Sequence, residues 1–200
     1  MLAIFGLGGA ALLLISLSPS VNPFRWVFLS PALVWHGEVW RLFSYALLPG
    51  GLIDWMLGVI WLSVLGGRLE RIWSSWTFWA YCLLAAIGGA VPFLLLGNSV
   101  RIAVIGSGPL IFGLLTAWYR LCGFEDIIVL GLGRVSVRQA AIIIAIINLV
   151  LVAGRSGWLG AVCELGAPVA VWLGLSLQLW LNTRRHKGNG GSNRFEHLEV

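Results

Sequence analysis

Charge is what this sequence has least of. Only 10% of its 200 residues are charged and 59% are apolar, whereas a water-soluble domain carries about a quarter charged and about half apolar. Six membrane spans of about 20 residues would use about 120 positions, which leaves almost no room for a separate soluble domain. The 13 basic residues, 12 Arg and a single Lys, are scattered along the chain, and without a basic patch nucleic acid is not an expected partner. Cysteine is scarce as well. Cys82, Cys122 and Cys163 lie far apart in apolar contexts, with no C-x-x-C spacing for a metal site or a redox pair, and read as small buried apolar residues. Histidine is confined to His36, His186 and His197, none of them on an apolar span. A complete metal set within the membrane is therefore absent, and no cofactor is expected.

What is present is hydropathy in long blocks, the pattern of segments that satisfy their own backbone in lipid by being helical. Residues 2–18 form the first, read as a retained anchor because no positive charge precedes it. Residues 19–51 are Trp-rich and broken by Pro23, Pro31 and Pro49. They read as a large interfacial loop with Trp26, Trp35 and Trp40 at headgroup level. The later spans fall at 52–65, 73–96, 102–118, 140–153 and 159–181, which makes six. With the amino terminus cytoplasmic, Arg68, Arg71, Arg120, Arg134, Arg138, Arg184, Arg185, Lys187 and Arg194 lie inside and Arg25, Arg41, Arg101 and Arg155 outside, as the positive-inside rule requires. The expectation is an all-α polytopic protein of a bacterial inner (plasma) membrane with both termini cytoplasmic. Its membrane domain covers residues 1–182, and residues 183–200 form a flexible basic tail.

Four motifs in order resemble the rhomboid family of intramembrane proteins, whose core is six helices around a water-accessible site. Trp40-Arg41 within Gly37 to Tyr45 resembles the Trp-Arg motif that organises the family's large interfacial loop. Gly66-Gly67-Arg68-Leu69-Glu70 resembles the G-x-x-x-E at the end of the second span, where the resemblance implies that Glu70 caps and ties loops; an ion pair with Arg68 or Arg71 is the simpler reading. Gly106-Ser107-Gly108 opens the fourth span. Glu164-Leu165-Gly166-Ala167, followed by Ala170 and Gly174, resembles the sixth-span His-Leu-Gly-Gly with its ladder of small residues. Such small residues let helix backbones approach closely in lipid, and the fourth and sixth spans are expected to pack together through them. The resemblance covers residues 30–181.

The chain departs from the family where the chemistry would be. An active rhomboid attacks a peptide carbonyl with a fourth-span Ser, uses a sixth-span His as base, and stabilises the oxyanion with a His and an Asn on the second span. Here the second-span positions hold Asp54 and Gly58, and the sixth-span His is replaced by Glu164. An ionised carboxylate at Asp54 would repel an oxyanion. Aligned through Ile111-Phe112-Gly113-Leu114, the nucleophile's place falls to Gly108, with Ser107 one residue early and so about 100° round the helix. A bulge before Pro109 could restore it; otherwise Ser107 is a helix-start hydroxyl bonded to backbone.

Asp54 and Glu164 within apolar spans are unusual in themselves, since an ionised Asp at a helix centre costs about 2.5–3.5 kcal/mol on insertion scales. They are expected to face a cavity or a partner, either as structural hydrogen-bonded carboxyls or as a docking, proton-linked or weak cation site. The leading reading is a pseudoprotease that binds transmembrane helices of clients or partner subunits in the bilayer without cutting them. A divergent serine protease using Ser107 and a small transporter using Asp54 and Glu164 are the alternatives.

Overall fold

The computed structural model describes residues 26–96, 104–123, 126–129 and 133–189. The expected first span, Arg25 and Arg101 lie outside them. The Trp-rich segment folds as two short helices, α1 (Pro31–Trp35) and α2 (Arg41–Leu47). Pro31 is suited to the first turn of α1, where an amide hydrogen is dispensable. Gly37, at φ 100°, turns the chain after it. α2 stops at Leu48, which is extended as the residue before a proline tends to be. Trp26, Trp35 and Trp40 are 69%, 67% and 54% exposed.

α3 (Leu52–Ile72) and α4 (Ser75–Leu96) have 21 and 22 residues, about 32 Å each and so enough for the hydrocarbon layer. α3 runs a full turn and more beyond its expected end, through Arg68 and Arg71. α5 (Gly108–Cys122) starts later than expected, with Pro109 in its first turn, and is buried along most of its length. A feature absent from the all-α expectation follows. β1 (Asp126–Val129) and β2 (Gly133–Ser136) pair as an antiparallel hairpin in register Asp126 with Ser136, and Leu29 bridges Val104. β-branched Ile127, Val129 and Val135 favour strands.

α6 (Val137–Asn189) begins with a capping box: the Ser136 hydroxyl accepts from the Gln139 backbone amide at 3.3 Å, and the Gln139 side-chain oxygen Oε1 from the Ser136 backbone amide at 3.4 Å. Its 53 residues continue past Thr183, and its two apolar segments, Val137–Gly154 and Gly160–Arg184, part where the break near Arg155 was expected. A straight helix of that size would be about 80 Å long. It cannot be straight, because Ala141, Ala145, Leu165 and Pro168 line one hollow beside Phe112 and Tyr119 of α5. The two halves flank the same helix in opposite directions. Among the described residues four segments are long and apolar enough to cross a membrane: α3, α4, Val137–Gly154 and Gly160–Arg184.

Small residues set the packing. A side chain on Gly166 would strike the Gly88 carbonyl oxygen and lie 2.7 Å from Pro92 Cγ; Ala170 abuts Gly88, and a Cβ on Gly174 would lie 2.5 Å from Leu84. The ladder therefore packs on α4 and not, as expected, on α5. The neighbouring face, with Glu164, Ala167, Val171 and Leu175 buried at helical spacing, meets α5 where Gly113 approaches Val171.

Candidate functional site

The amino-terminal ends of α3 and α5 converge on one carboxylate. Asp54, in the first turn of α3, accepts the Gly50 amide on Oδ2 at 2.8 Å, the Ser107 amide on Oδ2 at 3.2 Å and the Ser107 hydroxyl on Oδ1 at 3.0 Å. Unpaired amides and the positive ends of two helix dipoles favour a negative group there. Gly106, at φ 152°, makes the turn before Ser107 that a residue with a side chain rarely makes, and a Cβ on it would lie 3.4 Å from Asp54 Oδ2. Its amide donates to the Tyr45 carbonyl at 3.1 Å.

Glu164 lies on the other side of the same segment. It is 5% exposed, and a Cβ on Gly108 would overlap its Oε1. Glu164 Oε2 is buried without a hydrogen-bond partner among the described residues. Gly106-Ser107-Gly108 is thus enclosed by the two acids, with glycine where either neighbour's side chain would collide or crowd.

Ser107 is fully buried and precedes α5. Its hydroxyl serves Asp54 where a backbone bond was expected, because the carboxylate reaches across from α3. Gly58 is buried one turn beyond Asp54 and brings no donor. His36 is exposed at the end of α1.

The remaining motif residues hold the frame. Arg41 is 2% exposed; it pairs with Glu38 at 2.5 Å, donates to the Phe28 carbonyl at 2.9 Å and stacks over the Phe28 ring. Trp40 donates to the Trp26 carbonyl at 3.4 Å. Gly66 is buried near Phe78, and Glu70 is exposed. Two contributors had no separate signal in the sequence. Tyr45 donates from its hydroxyl to the Ala86 carbonyl at 2.8 Å and so ties the loop to α4; Gly50 offers only backbone.

A comparison with known families decides the ancestry: the Rhomboid domain matches residues 36–178. The chain belongs to the rhomboid family. It is also similar to RHOMBOID-like protein 5 of Arabidopsis thaliana, 32% identical over 102 residues, which is 50% of this chain and 33% of that relative. The match thus spans about a third of the relative's length. For a rhomboid-family membrane protein the conspicuous feature of this site is a carboxylate seated on the donors around the serine.

Proposed function

We propose that this protein is a rhomboid pseudoprotease, a six-span protein of the inner (plasma) membrane with both termini cytoplasmic, which captures transmembrane helices of clients or partner subunits and does not cleave them. Residues 2–18 supply the first span in this reading, and α5 is the short central one. The membrane domain ends near residue 182, and the basic end of the chain faces the cytoplasm.

The observation that carries the reading is the set of three bonds to Asp54. An acyl-transfer site needs donors left open for a developing oxyanion, and here the Ser107 amide is already occupied by an anion. The Ser107 hydroxyl points its proton at a carboxylate, a far weaker base than imidazole. That contact is also what favours the second reading, a divergent protease with Asp54 as base. It ranks lower because a carboxylate is the weaker base and, through Oδ2, already takes the Ser107 amide that a developing oxyanion would need.

Capture is assigned to the acidic pair. Glu164 Oε2, buried and without a donor among the described residues, is suited to a basic or amide group brought by a client helix, since an unmet buried acceptor costs about 1–3 kcal/mol. The experiment is affinity purification of wild type and of Asp54→Asn/Glu164→Gln, with quantitative comparison of the membrane proteins retained. Client recovery should fall several-fold in the double variant while folding persists; unchanged recovery would remove the acids from the account.

A further inference from the structure

At the far end of α3 from Asp54, a groove of about 580 Å³ opens between α3 and the end of α5, lined by Ser63, Val64, Gly67, Arg68, Arg71 and Cys122. Its α3 residues share one helical face, and both cationic side chains lie on it. Glu70 is about 100° from Arg71 and about 160° from Arg68 round the helix, and it does not line the groove. Gly67 forms an open floor: a Cβ there would meet nothing within 4 Å. The Ser63 hydroxyl gives its proton to the Val59 carbonyl at 2.5 Å, so the groove's strong donors are the guanidinium groups. Leading to it along α3 is a stripe of exposed apolar side chains, Ile53, Met56, Ile60 and Val64, 57%, 52%, 51% and 45% exposed.

We propose that this groove binds the headgroup of an anionic phospholipid, its phosphodiester held by Arg68 and Arg71 and one acyl chain laid over Val64, Ile60 and Met56. The match is one of charge and of place. Two planar guanidinium groups three residues apart present forked donors suited to phosphate oxygens. They stand where a membrane-spanning helix meets the headgroup layer, with an apolar track running from them into the bilayer. Basic pockets among transmembrane helices select anionic headgroups in this way. A free phosphate would use the same donors and leave the track empty. The site is independent of the acidic pair, so its failure would leave the client-capture reading intact.

The test uses the full chain in an uncharged detergent, with melting temperature followed against added phosphatidylglycerol, phosphatidylcholine or inorganic phosphate. Phosphatidylglycerol should raise the melting temperature, as any ligand of the native state does, and the other two should not. Arg68→Gln/Arg71→Gln should need roughly tenfold more phosphatidylglycerol for the same rise, the loss expected for a charge-assisted bond. Gly67→Leu, whose Cβ would meet nothing within 4 Å, extends over the floor and should also blunt the response; Arg71→Gln alone serves if the double variant does not fold. An undiminished response in Gly67→Leu, no response in wild type, or an equal response to inorganic phosphate would each overturn the lipid assignment.

Discussion

Replacing Asp54 by Asn and by Leu separates its acceptor role from its charge, and the expected costs follow from the three bonds it accepts. In Asp54→Asn the amide oxygen can take the Gly50 and Ser107 amides, and its NH₂ can face Ser107 Oγ, whose hydroxyl then turns away. Charge assistance is lost and the contacts persist, a cost of about 1 kcal/mol. Asp54→Leu removes every acceptor. Gly50 is exposed and its amide can turn to water, but Ser107 is fully buried, and its amide and hydroxyl are both stranded. At about 1–3 kcal/mol for each of the two unmet buried donors, Leu should cost about 2–6 kcal/mol. Adding Ser107→Ala to Leu should then cost less than the separate changes predict, because one stranded donor has been removed. Unfolding in mixed micelles, followed by fluorescence of the 12 tryptophans, reads all four variants. Equal stability of the Leu and Asn variants would refute the claim that Asp54 holds the start of α5.

Gly108→Ala drives a methyl into Glu164 and should destabilise by about 1–3 kcal/mol, with Glu164→Ala restoring part of the loss; failure of the second change to help would place the strain elsewhere. Gly166→Val, pressed against Gly88 and Pro92, should cost at least as much, whereas Gly154→Ala, where a Cβ meets nothing within 4 Å, should be neutral or gain up to about 1 kcal/mol in helix propensity; thermal melts of the two compare them directly. A phosphatase reporter fused to the carboxyl end should be inactive and one inserted between Pro31 and Gly37 active, and the reverse pattern would invert the topology.

Much of the fold could be read from apolar runs because lipid demands continuous helix. Pro31 and Pro49 interrupt the loop for reasons of backbone geometry, and its ties through Arg41 followed from its motif, whereas the fourth span was expected from 102 and its helix waits until Pro109 stands in its first turn. Other features were less legible. Ser136 and Gln139 spell a capping box, but it lies in a hairpin whose pairing depends on residues facing one another, which spacing alone does not reveal. The small-residue ladder announces close packing without naming its partner, and α4, with Leu84, Gly88 and Pro92, claimed it. At the site, the sequence displayed two buried acids and a displaced serine. That the Ser107 hydroxyl turns to Asp54 required the converging ends of α3 and α5, and the Gly50 amide, being backbone, leaves no mark in a side-chain pattern.

The measurement that bears most directly on the proposed lack of proteolysis is exposure of the intact protein, in detergent and in liposomes, to a serine-directed fluorophosphonate, with mass spectrometry of Ser107 and parallel incubation with a membrane-spanning peptide substrate. If Asp54 occupies the donors around Ser107 and no imidazole activates its hydroxyl, Ser107 remains unmodified and the peptide intact. A stoichiometric adduct on Ser107, with cleavage abolished by Ser107→Ala, would contradict the account and identify a working protease.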